Sequence, residues 1–168
     1  MIDAALITMA KEIAGRHALD GALVCAVIEQ ESSGDTWAMR YEPAFYARYI
    51  APMLAAGQIS PAPPTTAETE ATARATSWGL MQVMGETARE APVNYYGPLA
   101  ALCDPATGIE VGCRRLAADL AKAAAGNPVL APGDPLITQS ALSLYNGGAD
   151  PSYPSAVLAR VPKYQSST

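Results

Sequence analysis

Glu31 is the residue whose type and position most directly suggest chemistry. It stands at the end of a predicted helix, shortly after the apolar run 22–28 and directly before a SerSerGly turn at 32–34. A carboxyl group there lies near apolar side chains and the negative pole of the helix dipole, and both raise its pKa. Such a group can serve as a general acid. Taken alone, the position also suits an ordinary surface glutamate in a last helical turn.

Glu29 is the nearest competing carboxylate on the same predicted helix. The side chains three, four and seven residues before Glu31 are isoleucine and valine, whereas those before Glu29 are alanine and cysteine. Residues at these spacings share one face of a helix. The bulkier apolar stripe therefore leads to Glu31, which we take as the candidate acid.

The elements that position these carboxylates are predicted to be helices packed in one domain. The chain has 168 residues, of which 50% are hydrophobic and 16% are charged. This length supports one sizeable core, and abundant alanine with few alternating β-branched runs favours helices over sheet. We therefore expect a mainly helical single domain that spans residues 1–168.

Capping residues mark the starts of several predicted helices. An aspartate side chain can accept hydrogen bonds from free backbone N–H groups at a helix N-terminus, and proline fits the first helical position. The aspartates expected in this role are Asp20, Asp104 and Asp134. The helices that start at the last two are predicted to run to about Gly126 and about Asn146. Other helices are predicted at 3–15 and about 154–161.

Prolines divide the middle of the chain. Pro43 can occupy the first turn of a helix, which Pro52 would kink or split. A proline-rich connection follows at 57–66, and Thr65 with Glu68 forms a capping-box pattern that opens a short helix.

Composition excludes several classes of function. The formal net charge is −5 and no basic cluster is longer than Arg114-Arg115, so a nucleic-acid partner is not expected. His17 is the only histidine, is expected to be solvated, and leaves no parts for a histidine triad or a multi-histidine metal site. Neither a metal nor another cofactor is expected. The three cysteines are expected to be free thiols, with a disulfide between Cys103 and Cys113 as the alternative.

The apolar segments also bear on localisation. No apolar run approaches the length that spans a bilayer, and the first residues lack the basic region of a signal peptide. We therefore expect synthesis in the cytoplasm and no membrane partner.

Five short stretches together carry a family resemblance. They are GluSer at 31–32, SerTrpGlyLeuMetGlnVal at 77–83, the stretch 102–116, AlaLeuSerLeuTyrAsnGlyGly at 141–148 and TyrProSerAlaValLeu at 153–158. In content and order they resemble the lytic transglycosylase and goose-type lysozyme superfamily, over about residues 19–164. The resemblance implies a mainly α, lysozyme-like fold with a polysaccharide-binding cleft, and cleavage of the glycan strands of peptidoglycan.

The resemblance also implies roles for individual residues. The implied substrate-binding residues are Ser32, Met81, Gln82, Tyr145 and Asn146. Glu31 would be the catalytic acid, and Tyr145 would reach its carboxyl group. The amide of Gln82 can both donate to and accept from sugar groups, and a neutral carboxylic acid can protonate a glycosidic oxygen. Structural alternatives are a satisfied turn residue for Gln82 and a helix-end residue for Asn146.

The region at about 40–75 departs from the family pattern. The family usually keeps the GluSer and GlyLeuMetGln motifs close together, whereas about 50 residues separate Glu31 from Gln82 here. An insertion is therefore implied. Its aromatic residues, which are Tyr41, Phe45, Tyr46 and Tyr49, could form a wall of the cleft and stack on sugar faces, or they could simply pack the inserted helix.

Two reaction outcomes are open for this superfamily. In lytic transglycosylases one glutamate acts first as acid and then as base toward the muramyl 6-hydroxyl, and a 1,6-anhydro product forms. In hydrolytic muramidases a second carboxylate positions water. Glu42 or Asp35 could take that role, although Glu42 also lies close to Arg40 and Arg48 and suits an ion pair. We expect cleavage of the MurNAc-GlcNAc β-1,4 bond by the transglycosylase route.

A chain of this type could instead be a catalytically inactive glycan-binding or virion structural component. The presence of Glu31, Gln82 and Tyr145 together favours an enzyme. The absence of a signal peptide, a second wall-binding domain and an anchor fits a bacteriophage endolysin, or a virion-associated enzyme that acts on the bacterial cell wall. We expect a monomer whose partner is the glycan strand.

Overall fold

Helices form most of the protein. The structure is a computed structural model that describes residues 1–61, 65–131 and 133–165. The helices, in chain order, are α1 (Ala4–Arg16), α2 (Gly21–Ser32), α3 (Pro43–Phe45), α4 (Ala51–Ala55), α5 (Ala67–Arg74), α6 (Gly85–Arg89), α7 (Pro105–Gly126), α8 (Pro135–Tyr145), α9 (Tyr153–Leu158) and α10 (Pro162–Gln165). A π-helical turn, Tyr46–Ile50, joins α3 to α4, and a 3-10 helix covers Leu99–Cys103. The prediction of a mainly helical fold is confirmed.

A small antiparallel sheet accompanies the helices. Its strands are β1 (Met39–Tyr41), β2 (Thr76–Trp78) and β3 (Val83–Met84), in the order β1-β2-β3. Arg40 pairs with Ser77, which pairs in turn with Met84, so these three side chains share one face of the sheet. The sequence analysis does not predict this sheet, because strands of two or three residues are too short to show an alternating pattern.

The three aspartate caps are confirmed. Each aspartate side chain accepts a hydrogen bond from a backbone N–H group in the first turn of its helix. The pairs are Asp20 with Ala22 (2.8 Å), Asp104 with Thr107 (2.9 Å) and Asp134 with Leu136 (2.9 Å). The helices that follow the last two end within one residue of their predicted ends.

Three other helix boundaries differ from the prediction. α1 continues one residue past Gly15. The N-cap of α5 is Thr66 rather than Thr65, since the side chain of Thr66 accepts the hydrogen bond from the first turn. The last predicted helix ends at Leu158, and Pro162 then starts the separate helix α10. Proline supports this restart because it fits a first helical turn and lacks the N–H group that a continuing helix needs.

α2 lies at the centre of the main hydrophobic core. All of its residues from 22 to 28 are buried, in agreement with the unbroken apolar run. α1, α9 and α10 pack against it, and α7 packs against α1 and α8. A helix surrounded in this way needs apolar side chains at consecutive positions. This packing fixes the C-terminal end of α2, where Glu31 lies.

The segment 42–75 has a small hydrophobic core of its own. The buried residues of this core are Ile50, Ile59, Ala71 and Ala75. Pro52 lies in the first turn of α4, directly after the π-helical turn, so the α-helical pattern is interrupted before this proline. Residues 62–64 of the predicted proline-rich connection lie outside the described residues.

A buried cluster of ion pairs fastens this segment to α6. The carboxylate of Glu70 in α5 accepts hydrogen bonds from Arg89 (2.7 and 3.0 Å) and from Arg74 (3.1 Å). Arg89 also donates to the carbonyl groups of Tyr95 and Gly97. Burial opposes ionisation of Glu70, but the two arginines outweigh it and lower the pKa of this carboxyl group. These ion pairs therefore connect α5 to α6.

The cysteines and the histidine lie outside the cleft, and each is buried or has a partner nearby. Cys25, Cys103 and Cys113 are buried and form no disulfide. His17, expected to be solvated, is half-buried, and its Nε2 atom lies 3.0 Å from Oε1 of Glu110. In the described parts of the chain, no helix has the length and apolar character needed to cross a bilayer.

Candidate active site

Glu31 lies in the last turn of α2 and lines a cavity of about 450 Å³, which we call the cleft. Ser33 follows in the left-handed conformation, with φ of 55°, and ends the helix. The side chain of Glu31 is half-buried. Its predicted position at the end of a buried helix is therefore confirmed.

Other residues of the cleft come from the sheet, from the segment after β1, and from α7 and α8. The segment after β1 and the sheet contribute Arg40, Phe45, Tyr49, Ser77, Val83 and Met84. α7 and the end of α8 contribute Arg115, Tyr145 and Asn146. The cleft therefore lies between the segment 42–75 and the helical core, with Glu31 at their junction.

The surroundings of Glu31 favour its protonated form. Burial has the largest influence and raises the pKa of Glu31. The hydroxyl group of Tyr153 donates a hydrogen bond to Oε1 at 2.5 Å, and this bond and the charge of Arg40 act in the opposite direction. The net shift is upward, so the carboxyl group keeps its proton to a higher pH than an exposed glutamate does. A group of this kind can donate a proton to a bound substrate.

Two tyrosines stand near Glu31 with different partners. The hydroxyl group of Tyr145 donates to the carbonyl oxygen of Met81 at 2.7 Å, whereas Tyr153 supplies the hydrogen bond to Glu31. The hydrogen bond of Tyr145 is therefore not the one expected with Glu31, although Tyr145 lies close enough to feel the charge of Glu31 and lines the cleft. The sequence analysis missed Tyr153. Tyr153 begins the last of the five stretches that carry the family resemblance, 153–158. The sequence alone does not show that this stretch lies against the end of α2.

The GlyLeuMetGln turn at 79–82 is held by hydrogen bonds to its backbone. Nε2 of Gln82 donates to the carbonyl groups of Ala38 and Gly79, both at 2.9 Å. The hydroxyl group of Ser32 donates to the carbonyl group of Leu80 at 2.9 Å. Gln82 therefore satisfies the turn, as the structural alternative predicts, and it also lines the cleft.

Ser32 and Met81 support the cleft from behind rather than line it. The hydroxyl group of Ser32 is occupied by backbone groups, as it also accepts from the N–H of Gly34 at 3.2 Å. Met81 is buried, and a Cβ atom on Gly112 of α7 would overlap its sulfur. Neither side chain is among the described residues that line the cleft, and their role in substrate binding stays a prediction.

The comparison with protein-family models identifies the family. A model described as "Transglycosylase SLT domain" matches residues 8–152. The chain belongs to this family. The matched range includes Glu31 and ends directly before Tyr153, which donates to it. No curated protein and no solved structure matches the chain.

Membership of the transglycosylase SLT domain family establishes the general activity. Such domains are lytic transglycosylases that cleave the glycan strands of peptidoglycan. The family and the lysozyme-like helical fold expected from the motifs are confirmed. The cleft that contains Glu31 is the candidate site of that reaction in this transglycosylase SLT domain.

Glu42 and Asp35, the two candidates for a second carboxylate, do not line the cleft. Glu42 forms an ion pair with Arg40, with 2.5 Å between Oε1 and Nε, as the structural alternative predicts. Asp35 accepts a hydrogen bond from the backbone N–H of Trp37 at 2.9 Å. Among the described residues that line the cleft, Glu31 is the only carboxylate. No cluster suited to a metal ion is found in the described ranges of the SLT domain.

The four aromatic residues expected at the cleft wall divide into two pairs, of which one lines the cleft. Tyr41 lies next to Arg40 on β1, so strand alternation directs its side chain to the other face of the sheet. Tyr46 packs against the small core of the segment 42–75. Phe45 and Tyr49 line the cleft instead. Their spacing of four residues places both side chains on one helix face.

Glu29, the competing carboxylate, is held in its ionised form by basic groups. Nζ of Lys163 lies 3.0 and 3.2 Å from its two oxygens, and the amino group of Met1 lies 2.9 Å from Oε1. Burial opposes ionisation, but these hydrogen bonds outweigh it and lower the pKa of Glu29 to about 2. An ionised carboxylate cannot act as a proton donor, so the environment favours Glu31 for that role.

Glu29→Gln is expected to lower the melting temperature near pH 7. The free energy of unfolding should fall by about 1 kcal/mol or less, because Lys163 is partly exposed. A lowered pKa in the folded state contributes stability above the unfolded-state pKa of about 4.3, and this contribution is lost as the pH falls toward about 2. The difference between parent and variant should therefore shrink across this window. Thermal denaturation at several pH values measures it, with Glu12→Gln on an exposed ion pair as control. A difference that is constant with pH would contradict the assignment.

Proposed function

We propose that this transglycosylase SLT domain cleaves the MurNAc-GlcNAc β-1,4 bond with Glu31 as both acid and base, and releases 1,6-anhydro-muramyl products. The observation that carries the proposal is the single carboxylate, Glu31, among the described residues that line the cleft. Its raised pKa suits the first step. A hydrolytic mechanism with a second carboxylate would need a partner that the cleft lining does not supply.

The proposed reaction moves one proton out and one proton back. Glu31 donates its proton to the bridging oxygen, the bond to the anomeric carbon breaks, and positive charge develops on that carbon. The resulting carboxylate then takes the proton of the muramyl 6-hydroxyl, whose oxygen bonds to the anomeric carbon. No water enters the product. One carboxyl group is therefore sufficient.

Two neighbours support the ionised intermediate state of Glu31. The hydroxyl group of Tyr153 already donates to Oε1, so it fixes the orientation of the carboxyl group and stabilises the carboxylate once the proton has left. The guanidinium group of Arg40 adds a favourable positive charge. These contacts assist the transfer without acting as acid or base themselves.

The glycan strand is proposed to bind along the polar and aromatic residues of the cleft. Gln82 offers its amide oxygen, since both of its N–H groups are used in the turn, and Asn146 and Ser77 offer amide and hydroxyl groups to sugar hydroxyl and acetamido groups. Phe45 and Tyr49 supply apolar surface. A site that combines a few polar groups with aromatic side chains is typical of small-molecule and saccharide recognition.

Mass spectrometry of the products tests the proposed chemistry. Digestion of peptidoglycan is expected to give muropeptides that end in the 1,6-anhydro form, each lighter by one water than the hydrolysis product. Reduction with borohydride provides the control, because only products with a free reducing end change in mass. Products with reducing ends would replace the proposal by a hydrolytic muramidase. Binding of peptidoglycan without any product would indicate an inactive glycan-binding component.

A further inference from the structure

Phe45 and Tyr49 form a contacting pair of aromatic rings in the cleft. Their ring centroids lie 5.0 Å apart, with an angle of 47° between the planes. The guanidinium group of Arg48 lies 5.1 Å from the centroid of Tyr49. Tyr49 is 47% exposed, although it is a large apolar ring. A large exposed ring in a cavity is a feature that binding of a ligand would explain.

The pair is held in place without a ligand. Phe45 packs against the small core of the segment 42–75, and the fully buried Ile50 directly follows Tyr49. The π-helical turn 46–50 carries Tyr49, and such turns occur frequently at functional sites. The two ends of the segment are joined by the N–H group of Glu42, which donates to the carbonyl oxygen of Ala75 at 2.9 Å. A ring fixed in this way loses little conformational freedom on binding.

The surroundings of the pair suit a saccharide better than a purely apolar ligand. A pyranose ring presents C–H groups on its faces and hydroxyl groups at its edge. Phe45 and Tyr49 offer aromatic faces, while Ser77, Gln82 and Arg40 offer polar groups in the same cavity. The two kinds of group match the two kinds of surface on one sugar.

We propose that Phe45 and Tyr49 form a stacking subsite for one sugar ring of the glycan strand. The inference rests on the proposed function, since the strand is its substrate. The side chain that donates a hydrogen bond to Glu31 is Tyr153, and neither ring of the pair takes that place. The subsite therefore contributes to binding of the strand rather than to the proton transfer.

Binding to a protein that carries Glu31→Gln tests the subsite apart from the chemistry. The probe is soluble glycan strands of peptidoglycan from which the peptides have been removed, and the measurement is titration calorimetry. Tyr49→Ala is expected to weaken binding by about three- to tenfold. Tyr49→Phe keeps the ring and should bind like the parent, whereas Tyr49→Leu keeps apolar area without a flat face and should bind weakly.

Tyr41→Ala is the matched control, because Tyr41 is a similarly exposed tyrosine that does not line the cleft. It should leave binding unchanged. The inference is overturned if Tyr49→Ala binds like the parent, if Tyr41→Ala weakens binding equally, or if Tyr49→Leu binds as well as Tyr49→Phe. In the otherwise unchanged enzyme, Tyr49→Ala should raise KM by a similar factor and leave kcat nearly unchanged. Failure of the proposed chemistry would appear separately, in the product masses.

Discussion

Glu31→Gln is expected to reduce the rate of peptidoglycan cleavage by about 10²–10⁴-fold, the range that a positioned general acid or base contributes. Glutamine has nearly the same shape as glutamic acid, and its amide oxygen can still accept the hydrogen bond from Tyr153. It has no proton to give to the bridging oxygen, however, and cannot take one from the 6-hydroxyl. The substitution therefore removes the chemistry and leaves the cleft intact.

The stability of the same variant separates loss of chemistry from loss of structure. Burial raises the pKa of Glu31, so the folded protein binds this proton more tightly than the unfolded chain does. Ionisation of Glu31 therefore costs stability above its unfolded-state pKa, and a neutral glutamine avoids that cost. At pH 7 and above, Glu31→Gln should melt at the same temperature as the parent or at a higher one.

Turbidity of a peptidoglycan suspension measures the activity, and calorimetry measures the melting temperature. Glu42→Gln is the matched control. Glu42 pairs with Arg40 but does not itself line the cleft, so the substitution removes a neighbouring carboxylate from outside the cleft. It should keep activity within a few-fold of the parent. A folded Glu31→Gln protein that clears the suspension at the parental rate would refute the assignment. Strong loss in Glu42→Gln would instead favour hydrolysis with two carboxylates.

Local sequence signals predict the helices well because their causes are local. An aspartate before a proline caps a helix whatever surrounds it, and the starts of α7 and α8 follow that rule. The apolar run 22–28 likewise determines that α2 is buried on all sides. The position of Glu31 follows from that run, so the central residue of the site could be predicted from sequence.

The partners of Glu31 depend on packing between distant parts of the chain. Tyr153 is 122 residues away, and its hydroxyl group reaches the carboxyl group only because α9 packs against α2. Tyr145 lies nearby, but its hydroxyl group donates to the carbonyl oxygen of Met81 in the GlyLeuMetGln turn. No local pattern distinguishes these two tyrosines, which is why the motif resemblance assigned the contact to the wrong one.

The GlyLeuMetGln turn shows a second limit of local patterns. Gly79 and Gln82 both have positive φ, 65° and 44°, so the turn follows neither helical nor strand periodicity. The direction of each side chain is then set by these two dihedral angles. As a result Met81 points into the core and Gln82 lines the cleft, a difference that spacing alone cannot provide.

A large effect on stability is expected for Gly79→Ala, which should destabilise the protein by roughly 3 kcal/mol or more. A side chain is strained at the positive φ of Gly79, and a Cβ atom there would overlap the carbonyl oxygen of Leu102. That oxygen belongs to the backbone of a buried residue, so it cannot move aside as a flexible side chain could. For a domain of this size, the loss corresponds to a fall of roughly 6–12 °C in melting temperature.

The same substitution should also disturb the cleft. The N–H group of Gly79 donates to Ala38 at 2.7 Å, and its carbonyl group accepts from Nε2 of Gln82, so displacement of this backbone moves both groups. Gly15→Ala is the matched control, because Gly15 lies in α1 with no neighbouring atom within 4 Å of an added Cβ. It should stabilise the protein by about 0.5–1 kcal/mol. Thermal unfolding of both variants measures the contrast. Equal melting temperatures would mean that the turn tolerates a side chain, and that close backbone approach is not the reason for glycine at this position.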